Sequence, residues 1–537
     1  MLPTPHFQAI YKIICASVLF LIVFTSCENT STARKDHLVF RYNEHANITS
    51  LDPAFAKDQR NIWACNQLYN SLIQLDDELN TQPDIAKTWE VSNDAKMYTF
   101  HLRKDVSFHE HSIFGAEKTR KVTAKDAVYS LERLTDSKIA SPGSWVMQQV
   151  KNISAQNDST LVIELKQAFP AFLGLLSMKY ASIIPTEMEQ LDFRKNPIGT
   201  GPFHFKRWEA NEKLVFRKND LYFEKDKDGN QLPYLEAVAI TFLPDKQSEF
   251  LQFAQGKIDF LSGLDPSYKD ELLNAKGELQ PDYKERIQML RAPYLNTEYL
   301  GLYLDYPSPE LNSQKLRQAI NYGFDRNTMI TYLRNGIGSP ATSGFIPKGL
   351  PGFSDSTYYE YNPRKAKELI EEFKKETGEQ NPKISISTNA SYLDLCEYIQ
   401  RELQKVGLQV EIDVMPPSTL RQQRSAGKLA AFRASWIADY PDAENYLSLF
   451  YSENFSPQGP NYTHFSSEAY DSLYRQSLEL GDLQQRIPLY QQMDSIIMTH
   501  AAVVPLYYDE VIRFTQNEVE GLGINPINLL DLKRVKK

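Results

Sequence analysis

Residues 384–414 decide how this chain folds, and they read ISISTNASYLDLCEYIQRELQKVGLQVEIDV. Apolar and polar residues alternate in 384–387 and again in 410–414, as in strands with one buried face. Between them, residues 392–406 carry apolar side chains at helical spacing. A helix of this length can connect two parallel strands. The segment therefore predicts a mixed α/β protein.

The same alternation of strand and helix signals continues on both sides of this unit. Residues 97–103 (MYTFHLR) alternate cleanly, which predicts a half-buried strand. Thr123 with Asp126 three residues later predicts a helix start, and Asn362 before Pro363 predicts another. Further strands are expected at 38–42, 161–165, 213–217 and 237–243, and further helices at 61–72 and 312–324.

Composition limits the kind of protein that the chain can be. Of 537 residues, 42% are hydrophobic and 24% charged, values that disfavour collagen-like, disordered and polytopic membrane proteins. The net charge of −9 argues against a surface that binds nucleic acid. At roughly 150 residues per domain, the length allows three or four domains. The 12% of aromatic residues fit either a large core or a ligand-stacking cleft.

The N-terminus has the pattern of an exported lipoprotein. Lys12 precedes the apolar run 13–24, which is shorter than the ~20 residues that a membrane span needs. Small residues come directly before Cys27, so we expect a signal peptide at 1–26 and a lipid on Cys27. Residues 27–37 then form a polar tether. An ordinary signal peptide, or a buried cysteine at position 27, is the alternative.

The remaining cysteine and histidine residues give little sign of catalysis. Cys65 and Cys396 lie in apolar, helix-like stretches, so buried free thiols are expected. His109 and His111 could chelate a metal if they share one face of a strand, although a solvated loop is the simpler interpretation. No H-E-x-x-H or G-x-S-x-G motif occurs in the sequence. We therefore expect neither an enzyme nor a cofactor.

Six short segments, taken in order, form a more specific pattern. They are LDPA at 51–54, PDIAKTW at 83–89, VTAKDAVYSLER at 122–133, GTGPF at 199–203, LRQAINYGFDR at 316–326 and SWIADYPD at 435–442. Across roughly residues 38–515 this pattern resembles the extracytoplasmic solute-binding proteins of peptide and nickel ABC transporters, the family-five class. The lipoprotein start fits the same class.

The resemblance implies a two-lobed periplasmic-binding-protein clamshell, type II-like and of cluster C, with an extra inserted domain. Lobe I would comprise residues 38–64, 193–286 and 503–537, the inserted domain 65–192, and lobe II 287–502. The ligand would lie between the lobes, and closure would present the liganded form to ABC transporter permease subunits. We expect a monomer in the bacterial cell envelope, periplasmic or extracytoplasmic, anchored to the membrane through Cys27.

The resemblance also implies the ligand contacts. Peptides in this family pair with the protein backbone to backbone, by strand addition. An aspartate corresponding to Asp439 holds the ligand's α-amino group, because an unpaired desolvated ammonium costs about 3–5 kcal/mol. Arg433 matches an arginine near the ligand carboxylate. The other expected contacts are Ser435, Trp436, Ile437, Lys57, Asp58, Gln59 and, from the inserted domain, Trp145.

Each of these roles has a structural alternative. Asp439 could merely end a strand, Arg433 could be a solvated strand charge, and Trp436 could belong to the core. Asp442 fits the cap of a helix beginning at Glu444, so we assign it that structural role.

Three functional hypotheses remain in order of preference. The first is a lipid-anchored receptor that captures di- or oligopeptides for an ABC importer, by binding and hinge closure without covalent chemistry. The second keeps the fold but changes the ligand to a nickel chelate, haem, sugar or another small solute. The third is an unrelated glycan-capturing surface lipoprotein, whose nearly all-helical fold the strand signals disfavour.

Overall fold

A computed structural model describes residues 38–265, 267–274 and 276–537 of the chain. The expected signal peptide, tether and Cys27 lie outside this range. The strands are β1 Val39–Asn43, β2 Ile73–Leu75, β3 Thr81–Pro83, β4 Ala86–Val91, β5 Met97–Leu102, β6 Val150–Asn157, β7 Thr160–Leu165, β8 Phe203–Glu209, β9 Lys213–Lys218, β10 Ala237–Thr241, β11 Phe260–Ser262, β12 Ile287–Leu302, β13 Ser339–Pro340, β14 Lys383–Thr388, β15 Gln409–Val414, β16 Ala431–Ile437 and β17 Val503–Gln516.

The α-helices of the same residues range from one turn to seventeen residues in length. They are Gln59–Leu68, Ala124–Glu132, Phe172–Ser177, Lys246–Ala254, Lys269–Leu272, Pro281–Lys284, Pro309–Asn312, Gln314–Tyr322, Arg326–Leu333, Pro363–Thr377, Leu393–Lys405, Pro417–Ser425, Glu444–Leu447, Glu468–Glu479 and Leu483–Thr499.

The unit quoted at the start of the sequence analysis is confirmed. β14 and β15 pair in parallel, with Ile384 opposite Val410, and helix Leu393–Lys405 connects them. The predicted helix 312–324 is confirmed as Gln314–Tyr322, two residues shorter at each end. Position 313 is a serine whose side chain accepts a hydrogen bond from the Leu316 N–H and so starts this helix.

Both predicted helix starts are confirmed by their capping bonds. The Asp126 carboxylate accepts from the Thr123 N–H at 2.9 Å, as in a capping box. The Asn362 side chain accepts from the Lys365 N–H at 3.0 Å, directly before Pro363. These short polar signals fix where the helices begin.

One sheet of eleven strands runs through the whole molecule. Its order is β15-β14-β16-β12-β17-β11-β1-β10-β9-β8, and β13 also pairs with β17. The long antiparallel strands β12 and β17 are its middle, and their register shifts between Pro293 and Thr297. On one side of this irregularity lie β11 to β8, and on the other β16 to β15. The two long strands therefore cross from one lobe to the other.

The smaller sheets belong to the N-terminal part of the chain. A four-stranded antiparallel sheet has the order β4-β5-β7-β6, and β2 pairs with β3. The four-stranded sheet lies within residues 65–192, the expected inserted domain, and shares one apolar core with β1 and β10. The exact lobe boundaries stay a prediction.

Two further observations bear on location and reactivity. None of the helices in the described ranges is both long and apolar enough to cross a membrane. Cys65 and Cys396 are free and buried, as predicted, and burial raises the pKa of both thiols. Both thiols are therefore poor nucleophiles.

Candidate ligand-binding site

Strand β16 offers a free edge at the predicted ligand contacts. One side of β16 pairs with β12 along its whole length. On its other side β14 reaches only Ala431 and Phe432, so no described strand pairs with residues 433–437 there. Half of β16 is therefore open for another strand to add to it.

The main-chain groups on this free edge come from alternate residues. The N–H of Ala438, just past β16, donates to the Leu295 carbonyl of β12 at 2.9 Å. Because N–H and C=O groups alternate in direction along a strand, those of Ser435 and Ile437 point away from β12. They are thus the donors and acceptors that an added strand would meet. The Ile437 side chain is 48% exposed beside them.

Asp439 follows directly after this edge. Its side chain is exposed, although protein surrounds it on several sides, and the loss of water raises its pKa while a hydrogen bond from Asn445 lowers it. That bond, from Asn445 Nδ2, is long at 3.4 Å. Asp439 forms no ion pair with any lysine, arginine or histidine in the described part of the chain. Its carboxylate is therefore available for a cation from outside.

Tyr180 links Asp439 to the expected contacts in lobe I. Burial, and then the charges of Asp439 and Asp58, raise the pKa of Tyr180 to about 12, so both carboxylates lie near its hydroxyl. Asp58 caps helix Gln59–Leu68 by accepting from the Asn61 N–H at 3.2 Å. Lys57 and Gln59 beside it are exposed. Asp58 and Asp439 are thus both within electrostatic range of Tyr180.

Tyr440 packs the inserted domain against lobe II. Its ring lies 6.4 Å from that of Trp145 and 6.1 Å from that of Phe169. Gly174 leaves room for this contact, since a Cβ there would lie 3.6 Å from Tyr440 Cβ and 3.4 Å from Pro441 Cδ. The structure thus brings Trp145 to the residue that follows Asp439, and the lobes are in contact.

Arg433 occupies a different environment from the one expected. It is only 6% exposed, so the alternative of a solvated strand charge does not hold. Its guanidinium pairs with Glu298 of β12 and lies over the ring of Tyr392. Arg433 Nε has no hydrogen-bond partner among the described residues. A ligand carboxylate would have to compete with Glu298 for it.

Trp436 has the core role that the sequence allowed, and its contact with a ligand stays a prediction. Its ring packs partly against the core of lobe II. Its Nε1 donates to Asn445 Oδ1 at 2.9 Å, and the same oxygen accepts from the Asp439 N–H at 3.1 Å. Asn445 thus fixes the position of Asp439, a role that local sequence patterns do not reveal.

A cavity of about 360 Å³ lies beside β17, where β12 and β17 together pass from one lobe to the other. Arg334 and Asp509 line it, with Arg334 Nη2 3.0 Å from Asp509 Oδ1. Asn296 Nδ2 donates to Asp509 at 3.3 Å and to Glu298 at 3.2 Å. A polar network therefore runs from the cavity to Arg433. Sequence reasoning missed Arg334 and Asp509, because no motif marks either residue.

The histidines considered for a metal are engaged elsewhere. His109 is buried rather than solvated; its Nδ1 accepts from the Gly199 N–H at 3.2 Å, and its Nε2 lies 3.1 Å from the Gly201 carbonyl. Burial lowers the pKa of His109 to about 3. His111 Nε2 lies 3.2 Å from Asn196 Oδ1. Residues 38–265, 267–274 and 276–537 contain no cluster of three or more side chains that could hold a metal.

Comparison with known proteins identifies the family that the sequence resembles. A family model described as bacterial extracellular solute-binding proteins, family 5 middle, matches residues 80–458. The chain is 25% identical over 489 residues to the dipeptide-binding protein of Escherichia coli (strain K12), covering 86% of this chain and 87% of that protein. It is 27% identical over 545 residues to heme-binding protein A of Haemophilus influenzae, covering 94% and 95%.

A solved structure supports the fold. DppA from Helicobacter pylori, an ABC transporter-associated periplasmic binding protein in complex with the peptide STSA, superimposes with a TM-score of 0.71 at 26% identity. The match covers 93% of this chain and 98% of that one. The architecture is therefore the two-lobed one of periplasmic binding proteins.

Proposed function

The chain belongs to the family 5 bacterial extracellular solute-binding proteins, and on that premise we propose that it captures di- and oligopeptides for an ABC importer. The family leaves the ligand open, since one relative is named for dipeptides and another for haem. The choice therefore rests on the site. The observation that carries the proposal is the unpaired Asp439 carboxylate at the end of the free edge of β16.

A peptide suits this edge better than haem or a sugar does. The outward main-chain groups of Ser435 and Ile437 would pair with the amide groups of an extended peptide. The peptide's α-ammonium would then reach Asp439, which follows the edge without a cation of its own. Main-chain pairing does not depend on the side chains of the peptide, so peptides of many sequences would bind.

The opposite end of the peptide would lie toward the arginines. β17 carries Asp509, the partner of Arg334, and is separated from β16 by β12, which makes about 10 Å at the usual strand spacing. Arg334 Nε has no partner among the described residues and would donate to the peptide's carboxylate.

Delivery would follow from closure of the two lobes. Tyr440 already packs against Trp145 and Phe169, so a peptide held at Asp439 would be enclosed between the lobes. The closed form would dock on the permease, and a lipid on Cys27 would keep the receptor at the cell envelope. The activity is binding, closure and docking, as the names of the relatives indicate for their own proteins.

Calorimetry with defined peptides tests the amine anchor. We expect Asp439→Asn to weaken binding by about 2 kcal/mol, or 30-fold, because the ammonium loses its counter-charge. N-acetylation of the peptide should cost the wild type as much. Asp413→Asn, an exposed aspartate in the same lobe, is the control and should bind as the wild type does.

Two results would contradict this proposal at different levels. Equal affinity of Asp439→Asn and wild type would remove Asp439 from the ligand site. Native mass spectrometry that finds haem, a sugar or a metal chelate, together with no peptide binding, would replace peptides as the ligand.

A further inference from the structure

Glu44 is a buried carboxyl group that lacks a partner. It follows β1, is 5% exposed, and its Oε1 has no hydrogen-bond partner among the residues that the structure describes. Neither of its oxygens forms an ion pair within the described ranges. Buried carboxyl groups normally have their charge compensated by a cation or by hydrogen bonds. Glu44 is therefore a candidate for a cation that arrives with a ligand.

The cations near Glu44 are already paired with other carboxylates. Arg60 Nε lies 3.6 Å from Asp58, and Lys246 Nζ lies 2.9 Å from Glu249. All four of these charges influence Glu44, two raising and two lowering its pKa. The carboxyl groups of Glu44, Asp58 and Glu249 thus share only two cations, Arg60 and Lys246. If all three were ionised, the group would lack one positive charge.

The two remaining titratable neighbours do not supply that charge. Burial, and then the charges of Lys246 and Arg60, lower the pKa of His45, so the ring is neutral at pH 7. The hydroxyl of Tyr42, two residues before Glu44, is also buried without a partner. Burial and then Glu44 raise the pKa of this hydroxyl. Two adjacent polar groups therefore lack a hydrogen-bond partner.

Protonation keeps Glu44 neutral as long as no cation is present. Burial raises its pKa to about 8, although Arg60 and Lys246 oppose the shift. At pH 7 most Glu44 side chains would therefore hold a proton. A ligand cation would displace this proton and form the missing ion pair.

The sheet register places Glu44 at the interlobe side of lobe I. β1 pairs in parallel with β11, with Tyr42 opposite Phe260, so Glu44 is level with Ser262. The next residue, Gly263, lines the 360 Å³ cavity at the crossing strands. In sheets of this kind ligands bind beyond the carboxyl ends of the parallel strands.

Electrostatic interactions also connect Glu44 with the expected amine anchor, Asp439. Asp58 raises the pKa of Glu44 and also that of Tyr180, and Tyr180 responds to Asp439 as well. Asp58 therefore lies within electrostatic range of both Glu44 and Tyr180, and Asp439 lies within range of Tyr180.

We propose that Glu44 is a second cation anchor, and that the receptor prefers peptides with a lysine or arginine side chain near the amino terminus. The inference rests on the proposed function, since it places the α-ammonium at Asp439 and the basic side chain at Glu44. Among peptides, the proposed substrates are therefore those with a basic residue at the first or second position.

Calorimetry with matched tripeptides tests this preference. The probes are pairs of alanine tripeptides that differ only in lysine or norleucine at the first or the second position. The wild type should bind the lysine member at least about tenfold more tightly, which is 1.4 kcal/mol. In Glu44→Gln the ratio should fall to about one. Glu236→Gln, directly before β10 and therefore at the end of β1 opposite to Glu44, should keep the wild-type ratio.

Proton release provides a second readout that does not depend on affinity. Titrations at pH 7 in two buffers of different ionisation enthalpy should show up to about one proton released with the lysine peptide. The norleucine peptide and Glu44→Gln should release none.

The outcomes separate this inference from the proposed function. Equal affinity of the wild type for lysine and norleucine peptides overturns the inference and leaves peptide binding intact. A preference that survives in Glu44→Gln overturns it too. If neither member binds, the proposed function fails and the inference with it.

Discussion

Asp439 and Asp442 are three residues apart in one loop, yet their carboxylates are in opposite situations. Asp442 is buried, pairs with Arg486 Nη1 at 2.5 Å and accepts from the Tyr490 hydroxyl at 2.7 Å. Asp439 is exposed and receives one long side-chain hydrogen bond, from Asn445. A carboxylate that holds the fold together is compensated inside the chain, whereas a binding carboxylate leaves that to its ligand.

The same loop shows how a short sequence provides both roles. Asp442 Oδ1 also accepts from the Glu444 N–H at 3.0 Å, at the start of the predicted helix, but the N-cap position itself is occupied by Ala443. Between the two aspartates, Tyr440 and Pro441 lie against Gly174 of the inserted domain. The loop therefore has a structural end at Asp442 and, under the proposed function, a ligand-facing end at Asp439.

The largest expected effect is loss of stability on breaking the structural end. Asp442→Asn should lower the free energy of unfolding by about 3–5 kcal/mol, because Arg486 would remain buried without a counter-charge. Urea unfolding measures this. Asp439→Asn is the control and should change the free energy by less than about 0.5 kcal/mol, because no internal cation depends on it. Equal midpoints for the two variants would remove the distinction between them.

The proposed role of Asp439 predicts that the affinity for peptides depends on pH. The loss of water raises the pKa of Asp439, and only its ionised form attracts an ammonium. Peptide affinity should therefore fall as pH drops through that pKa, about tenfold per unit below it. Above about pH 8 it should fall again as the peptide's amine loses its proton.

Calorimetry across pH 4–9 measures both limbs of this profile. Asp439→Asn should lose only the acidic limb, because the amine of the peptide still titrates. An unchanged acidic limb in Asp439→Asn would assign the titration to another group.

Local patterns in the sequence predicted the local structure well. β14, the helix Leu393–Lys405 and β15 follow from alternation and helical spacing within 31 residues. The sequence pattern did not predict the long strand β12, because the burial of its residues changes along its length. Its first half is partly exposed, while its last eight residues are all buried. No single period describes a strand that passes from one lobe to the other.

The candidate site was predicted less completely than the fold. The resemblance predicted Asp439 and residues of β16 as ligand contacts, but it could not show that Arg433 pairs with Glu298, 135 residues away. Tyr180 and Tyr440 escaped for the same reason, since their roles come from contacts between the inserted domain and other parts of the chain. Such contacts follow from three-dimensional packing, which spacing along one sequence does not encode.

A smaller effect is expected from the contact that lies between the two aspartates. Gly174→Leu should push Tyr440 and Pro441 away and make the closed form less populated, because the added atoms need the space that these residues occupy. Peptide affinity would fall about five- to tenfold, in proportion to the closed fraction. Calorimetry and the radius of gyration from X-ray scattering measure both parts.

Gly174→Ala is the matched control for this contact. Its Cβ would meet Pro441 and Tyr440 at 3.4 and 3.6 Å, ordinary contact distances, so affinity should stay at the wild-type level. If Gly174→Leu also binds at that level, then the Tyr440 contact plays no part in closure.

Asp494 extends the comparison to a carboxyl group that is buried without a cation. It accepts hydrogen bonds from the Phe345 and Ile346 N–H groups at 2.8 and 3.5 Å, yet burial outweighs them and raises its pKa to about 7. The unfolded value is about 4, so the folded protein holds the proton more tightly and this contribution to stability is lost as pH rises through 7. Lowering the pH from 8 to 6 should therefore stabilise the protein by about 1 kcal/mol through Asp494.

Urea unfolding at pH 6, 7 and 8 tests this third case. Asp494→Asn cannot titrate, so the gain in stability between pH 8 and 6 should be smaller than in the wild type by about 1 kcal/mol. Asp84, whose pKa burial also raises to about 7, keeps its own share in both proteins. An equal gain in the two proteins would mean that the hydrogen bonds from Phe345 and Ile346 compensate the charge of Asp494 as fully as Arg486 compensates that of Asp442.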